Sequence, residues 1–208
     1  YKVSKNHIIS FNFPDFNINE STDHTTAAYG TIDEVLPLIY LLHQLIIKLK
    51  LTKLNLYGFS AGGGAIVNAL AILNTETFDY NLEAVGINKE AKALIIKALE
   101  KGQIILDCPM KSVEEIMEHR GKTPELEALA KNYIQNNLRP IDSIKWLKDL
   151  SLNLTLHFQE NDEILGNSDD KTFINRLLNA NKGSTKVIFG DNGGHNAFHK
   201  SLWEQLEQ

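Results

Sequence analysis

Short apolar runs alternate with longer segments of helical spacing along this chain, and this alternation limits its fold more than any other feature. Five runs rich in β-branched and aromatic residues predict strands, at His7–Phe13, Lys53–Tyr57, Gln103–Leu106, Leu152–Phe158 and Lys186–Phe189. The intervening segments predict helices at Ile32–Leu49, Gly62–Leu73, Lys89–Lys101, Lys111–His119, Glu125–Leu138 and Lys171–Asn181, with a last one from Asn196. Strands separated by helices need crossover connections, so the sequence predicts an α/β fold with a mostly parallel sheet and helices on both faces.

One connection is longer than a minimal crossover requires. About forty residues separate the predicted strands that end at Leu106 and begin at Leu152, and they contain two or three helical segments. We interpret Lys111–Lys148 as a helical cap inserted before the predicted strand Leu152–Phe158. Since no repeat or linker composition is visible, the remaining chain is expected to form one domain.

The charge balance excludes several classes of partner. The chain has 208 residues, with 21 Lys and Arg against 26 Asp and Glu, and neither sign forms a block that could follow phosphates or an anionic membrane. Nucleic acid is therefore not an expected partner, and no apolar run is long enough to span a membrane. The chain is expected to be soluble, and its single cysteine, Cys108, weakly favours a reducing compartment such as the cytoplasm.

The segment Gly58-Phe59-Ser60-Ala61-Gly62 is a GxSxG motif between a predicted strand and a predicted helix. A serine on such a sharp turn has its Oγ exposed at the carboxyl edge of the sheet. We expect the flanking Gly58 and Gly62 to be required, because the strand and helix backbones pass too close together for Cβ atoms. The helix N-terminus beneath the serine favours developing negative charge.

Here the chain resembles the α/β-hydrolase family, whose nucleophile, acid and base follow strand ends in the order serine, carboxylate, histidine. Asp162, just after Leu152–Phe158, matches the position of the family's acid. His195, at the end of Gly190-Asp191-Asn192-Gly193-Gly194-His195, matches the histidine that precedes the last helix. The resemblance extends from roughly Ile8 to Trp203.

The resemblance implies a role for each of these residues. Ser60 would be the nucleophile and His195 the general base that takes its proton and later protonates the leaving group. Asp162 would orient the imidazole of His195 and stabilise the imidazolium form. The sequence leaves the acid open, since Glu160 and Glu163 are near neighbours of Asp162 in the chain. Asp107 follows the preceding strand, where some family members place the acid.

A dinucleotide-binding loop and a zinc site fit this sequence less well. The glycines at 58–64 follow a strand and Asp79 lies about twenty residues further on, but the GxGxxG spacing of a dinucleotide loop is not met. His195 and His199 have a spacing that suits zinc on a helix, but the segment between them lacks a glutamate and no third ligand is indicated. The motifs therefore imply no cofactor and no metal.

The oxyanion donors are only partly accounted for. Ala61, directly after the serine, supplies one backbone N–H, but no His-Gly motif marks a second donor. If Ile8–Phe13 corresponds to the family's fourth strand, the first three strands are missing. We expect an N-terminal segment of the same gene product to complete the sheet. In the alternative, a compact variant, His7–Phe13 pairs directly with Lys53–Tyr57 and the loop Pro14–Asn19 provides the second donor.

The resemblance predicts a serine hydrolase that acts on a carboxylic ester or thioester through an acyl-enzyme, with a small acyl compound as substrate. Two alternatives stay open. One is a non-catalytic binding protein on the same fold, which keeps the triad residues without a working oxyanion hole. The other is a peptidase or acyltransferase that uses the same acyl-enzyme with a different substrate or acceptor.

Overall fold

The described part of the chain contains a sheet of four parallel strands. The computed structural model describes Ile9 and residues 29–165, 171–190 and 194–195. Within them the strands are β1 (Leu56–Phe59), β2 (Ile104–Asp107), β3 (Leu154–Gln159) and β4 (Thr185–Gly190). They lie side by side in chain order, with Leu56 opposite Ile104, Ile104 opposite Leu154, and Leu154 opposite Thr185. Their carboxyl ends therefore share one edge of the sheet.

Helices fill the connections between the strands. The described α-helices are α1 (Ile32–Leu49), α2 (Ala61–Leu73), α3 (Asp79–Ala84), α4 (Lys89–Glu100), α5 (Val113–Arg120), α6 (Pro124–Gln135), α7 (Pro140–Ser143) and α8 (Lys171–Ala180), and a 3-10 helix follows α7 at Ile144–Leu147. The predicted α/β class with a mostly parallel sheet is confirmed. The predicted strand His7–Phe13, apart from Ile9, and the predicted helix from Asn196 lie outside the described residues.

Helix boundaries follow their caps. Thr31 Oγ1 accepts a hydrogen bond of 3.2 Å from the backbone N–H of Asp33, which satisfies one of the donors that a helix N-terminus leaves free, and α1 begins at Ile32 as predicted. Ser112 and Thr123 cap α5 and α6 in the same way. The predictions missed α3, α7 and the 3-10 helix, because segments of four to six residues are too short to show a helical period.

One face of the sheet shares a continuous apolar core with the helices. Alternate strand residues enter this core, among them Leu106 of β2 and Leu156 of β3, and α2 is buried along its length from Gly63 to Leu73. Crossovers of the same hand between successive neighbouring strands place their helices on one side of a sheet, which accounts for the arrangement. No helix in the described part of the chain is long and apolar enough to cross a membrane.

The predicted cap, Lys111–Lys148, consists of two parts in the structure. Helices α5 and α6 pack against each other, whereas α7 and the 3-10 helix pack on α2. In the second part Ser143, Ile144 and Leu147 are buried in the main core region. A cap that covers a substrate stays a prediction.

A buried carboxyl group joins α1 to α6. Glu34 is only 1% exposed, and its carboxyl oxygens accept hydrogen bonds from the Tyr133 hydroxyl, at 2.8 and 2.9 Å, and from the backbone N–H of Gly30 at 2.8 Å. Burial raises the pKa of Glu34 to about 7, and the two hydrogen-bond donors offset only part of this effect. The proton that Glu34 retains makes folding sensitive to pH.

We expect Glu34→Gln to remove a pH dependence of stability. The pKa of Glu34 is raised from 4.5 to about 7 in the folded protein. The contribution of protonated Glu34 to stability is therefore fully present below about pH 4.5 and is lost as the pH rises through 7. Between pH 4.5 and 7 the wild type should therefore lose about 3 kcal/mol of unfolding free energy relative to the variant. Denaturant titrations at several pH values measure the difference. Glu83→Gln, at an exposed position on α3, is the control, and parallel curves for Glu34→Gln and the wild type would contradict the assignment.

Candidate active site

The nucleophile candidate sits at the junction between β1 and α2. Ser60 has φ 51° and ψ −119°, a conformation that side chains with a Cβ rarely adopt and that costs about 1–3 kcal/mol. Hydrogen bonds hold both of its peptide groups: its N–H donates to Asp107 O at 2.9 Å, and its carbonyl accepts from Met110 N at 2.9 Å and from Gly63 N at 3.0 Å. The sharp turn places Ser60 Oγ at the carboxyl edge of the sheet.

The glycines around this turn do not all play the expected part. A Cβ on Gly58 would lie 2.7 Å from the carbonyl oxygen of Gly62, so Gly58 is required as predicted. The prediction for Gly62 is wrong, because a Cβ there would meet nothing within 4 Å. The close approach falls one and two residues later, where a Cβ on Gly63 would lie 2.8 Å from Pro109 Cβ and one on Gly64 would lie 2.8 Å from Met110 O.

The structure brings the three predicted site residues together. His195 Nε2 lies 2.8 Å from Ser60 Oγ, and His195 Nδ1 lies 2.7 Å from Asp162 Oδ2. His195 and Asp162 are 3% and 5% exposed, and the ring of Phe59 lies 4.8 Å from that of His195, centroid to centroid. This order of hydroxyl, imidazole and carboxylate is the one that nucleophilic acyl transfer requires.

The carboxylate of Asp162 is held on both of its oxygens. Oδ1 accepts hydrogen bonds from the backbone N–H groups of Ile164 and Leu165, at 2.9 and 2.7 Å, and Oδ2 faces His195. Burial raises the pKa of Asp162, but the hydrogen bonds from His195 and from the two backbone donors outweigh it and hold the pKa below its ordinary value. Asp162 is therefore ionised near neutral pH.

The neighbouring carboxylates have other partners. Glu163 Oε2 accepts a hydrogen bond of 2.9 Å from the backbone N–H of His195, which fixes the main chain of the histidine rather than its ring. Glu160 is exposed, and its backbone N–H pairs with Gly190 O. Sequence analysis missed the contact of Glu163, because no local pattern pairs it with a residue 32 positions away.

Asp107, the alternative acid, faces a different histidine. Its Oδ1 lies 2.6 Å from His157 Nδ1, and its Oδ2 accepts a hydrogen bond of 2.6 Å from the Tyr57 hydroxyl. Burial raises the pKa of Asp107, but hydrogen bonds from His157 and Tyr57 outweigh it and leave the pKa below its usual value. Both oxygens of Asp107 are thus engaged away from His195.

Among the described residues, two groups of side chains lie close enough together to be tested as metal sites, and both contain Cys108. One adds Asp107 and His157, the other Asp162 and His195, and the candidate ligand atoms in each lie within 4.8 Å of one another. Burial raises the pKa of the Cys108 thiol, and the charges of Asp107 and Asp162 raise it further. Each carboxylate is also already hydrogen-bonded to its histidine, and hydrogen-bonded pairs describe these residues better than a metal centre.

The remaining predicted features fall partly outside the described residues. Ala61 is the first residue of α2, where helix geometry leaves the backbone N–H without an intrahelical acceptor. Asp79 begins α3 and forms an ion pair with Lys92, which does not suit a ribose-binding acid. His199 and the loop Pro14–Asn19 are not among the described residues.

Comparison with known proteins supports the fold independently. No protein-family model and no curated protein matches the sequence. Among solved structures, the chain is similar to a carboxylesterase from Lactobacillus plantarum, with a TM-score of 0.57 at 13% identity over 79% of this chain and 55% of the other. A lipase/esterase from the same species gives 0.56 at 14% identity over 84% and 63%. Acetyl xylan esterase 1 from Thermoanaerobacterium gives 0.51 at 12% identity over 84% and 52%.

At this level of identity the likeness establishes the fold. The chain has an α/β-hydrolase-like fold, as the sequence predicted. It spans between about half and two thirds of the length of these three structures.

Gly62 and Gly63 provide a matched test of the turn. Gly63→Ala should lower the free energy of unfolding by about 1–3 kcal/mol, because its Cβ would press on Pro109 and on the carbonyl of Gly58. Gly62→Ala should leave stability unchanged or raise it by up to about 1 kcal/mol, because alanine favours the helix and its Cβ has open space. Thermal and denaturant unfolding of both variants measures the difference, and equal losses would contradict the packing described.

Proposed function

We propose that this chain carries the active site of a serine hydrolase that acts on a carboxylic ester or thioester. The observation that supports the proposal most directly is the hydrogen-bonded series from Ser60 Oγ through His195 to Asp162, built on a strained strand-to-helix turn. The esterase-like fold adds support, since the series lies at the carboxyl ends of β1, β3 and β4. A small acyl compound is the proposed substrate.

The reaction would proceed in two acyl-transfer steps. Ser60 Oγ attacks the carbonyl carbon while His195 Nε2 takes its proton, and His195 then returns the proton to the departing alcohol or thiol. Water attacks the resulting acyl-enzyme with His195 again as base, which releases the acid and regenerates the Ser60 hydroxyl. Asp162 stays ionised throughout, orients the ring through Nδ1 and stabilises the imidazolium form.

The developing oxyanion needs backbone donors. Ala61 N–H, at the start of α2, is the proposed first donor, and the N-terminal end of this 13-residue helix favours negative charge there. Ser60 N–H is not available, because it donates to Asp107 O. The second donor is proposed to come from a segment N-terminal to α1.

Labelling with a fluorophosphonate probe tests the activated serine. The wild type should be labelled at Ser60, and Ser60→Ala and His195→Ala should lose both labelling and hydrolysis of a short p-nitrophenyl ester, by at least about 10³-fold. Peptide mass spectrometry locates the modified residue. His119→Ala and Ser184→Ala remove residues of the same types away from the site and serve as controls. A folded wild type that is neither labelled nor active would reject the proposal in favour of a binding protein on this fold.

The identity of the acid has its own test. Asp162→Asn should lower kcat by about 10⁴-fold while leaving the fold intact, because an amide would favour the wrong tautomer of His195. Glu160→Gln, two residues away and exposed, should change kcat by no more than about twofold. Steady-state kinetics of both variants give the comparison. An Asp162→Asn enzyme that retains most of the wild-type kcat would exclude Asp162 as the acid.

A further inference from the structure

Strand β2 lies between β1 and β3 but contributes no member of the proposed triad. Ser60 follows β1, Asp162 follows β3 and His195 follows β4. The carboxyl end of β2 carries Asp107, which is 4% exposed, and a buried carboxylate is costly to keep unless its contacts compensate for lost solvation. Its contacts therefore indicate what it does.

The side chain of Asp107, on β2, connects this strand to both of its neighbours, β1 and β3. One carboxylate oxygen accepts from the Tyr57 hydroxyl of β1, and the other lies 2.6 Å from His157 Nδ1 of β3. The register sets this arrangement, since Asp107 lies directly opposite both Phe59 and His157. Hydrogen bonds to a carboxylate are shorter and stronger than those between neutral groups.

The backbone of the segment Asp107–Met110, at the end of β2, is hydrogen-bonded to Ser60. The carbonyl of Asp107 accepts from Ser60 N, and Met110 N donates to Ser60 O, so the two ends of a four-residue loop bind the two peptide groups of Ser60. Cys108 N donates to His157 O at 2.8 Å and fastens the loop to β3. Cys108 has φ 43°, so the loop itself is held in a conformation that is disfavoured for a residue with a Cβ.

We propose that Asp107, held by Tyr57 and His157, is a positioning residue that keeps Ser60 at reacting distance from His195. The carboxylate fixes the end of β2 between the strand that leads to the nucleophile and the strand that leads to the acid, and the loop after β2 transmits this position to the backbone of Ser60. The inference rests on the proposed function, because it assigns Asp107 a part in the same reaction. Displacement of a reacting group by about 1 Å can cost about 10²-fold in rate.

A polar pair at the opposite ends of the same strands offers a matched control. Gln103 Nε2 donates to Thr155 Oγ1 at 2.9 Å, which links the amino ends of β2 and β3 on the face that carries Asp107 and His157. Thr155→Val removes a partly buried hydrogen bond between the same two strands, near the ends opposite to the loop that holds Ser60. A role of Asp107 in stability alone would make the two sites equivalent.

The test compares Asp107→Asn, Tyr57→Phe and Thr155→Val with the wild type. We expect Asp107→Asn to lower kcat and the rate of fluorophosphonate labelling by about 10- to 100-fold, with KM within about twofold. Tyr57→Phe keeps the carboxylate and its contact with His157, and should lower kcat by about 3- to 10-fold. Thr155→Val should retain the wild-type kcat even where it lowers the unfolding temperature as much as the other two variants do.

A second measurement does not depend on turnover. The imidazole N–H between His195 and Asp162 should give a downfield proton NMR signal, assigned by its loss in His195→Ala. It should shift or broaden in Asp107→Asn and Tyr57→Phe and stay unchanged in Thr155→Val. If the wild type shows neither labelling nor turnover, the proposed function fails, and this signal still decides whether Asp107 positions the site.

Three results would overturn the inference. One is wild-type kcat and an unchanged His195 signal in folded Asp107→Asn or, if that variant does not fold, in Tyr57→Phe. Another is an equal loss of kcat in Thr155→Val. The third is loss of activity in Asp107→Asn together with full activity in Asp162→Asn, which would make Asp107 the acid itself.

Discussion

The backbone conformation of Ser60 is the constraint from which the rest of the site follows. A φ of 51° at a residue with a Cβ persists only where surrounding contacts compensate for its cost. The compensating hydrogen bonds come from the first turn of α2 and from Asp107 and Met110 of the loop after β2. The geometry of Ser60 therefore depends on two neighbouring strands and one helix, and the GxSxG sequence is only one part of what produces it.

The three buried carboxyl groups among the described residues show that burial alone does not decide protonation. The pKa of Glu34 is raised because burial outweighs one backbone N–H and one tyrosine hydroxyl. The pKa values of Asp162 and Asp107 are lowered because the donors around them outweigh burial: an imidazole and two backbone N–H groups for Asp162, an imidazole and a tyrosine hydroxyl for Asp107. The two aspartates hold their charge at the carboxyl edge of the sheet, whereas Glu34 lies between helices, where a neutral group costs less.

Much of this organisation could be predicted from local sequence. The bounds of α1 were predicted from its helical spacing, and Ser60, Asp162 and His195 were predicted as one site from the resemblance to the α/β-hydrolase family. The strand bounds shifted, with β1 beginning at Leu56 rather than Lys53, because register against a neighbour decides which residues of an apolar run form the ladder. The requirement for Gly63 rather than Gly62 depends on Pro109, some 46 residues away, and no local pattern contains that contact.

Register also explains why the partnership of Asp107 with His157 could not be predicted. In the sequence, Asp107 ends one predicted strand and His157 lies within another some 50 residues away, and only their positions opposite each other on β2 and β3 make them a pair. The sheet therefore carries two acid–imidazole pairs, Asp107–His157 and Asp162–His195, and Cys108 lies close to both. Because the two carboxylates and burial together raise the pKa of Cys108, its thiol stays neutral. It can therefore lie beside His195 without competing with Ser60, the proposed nucleophile.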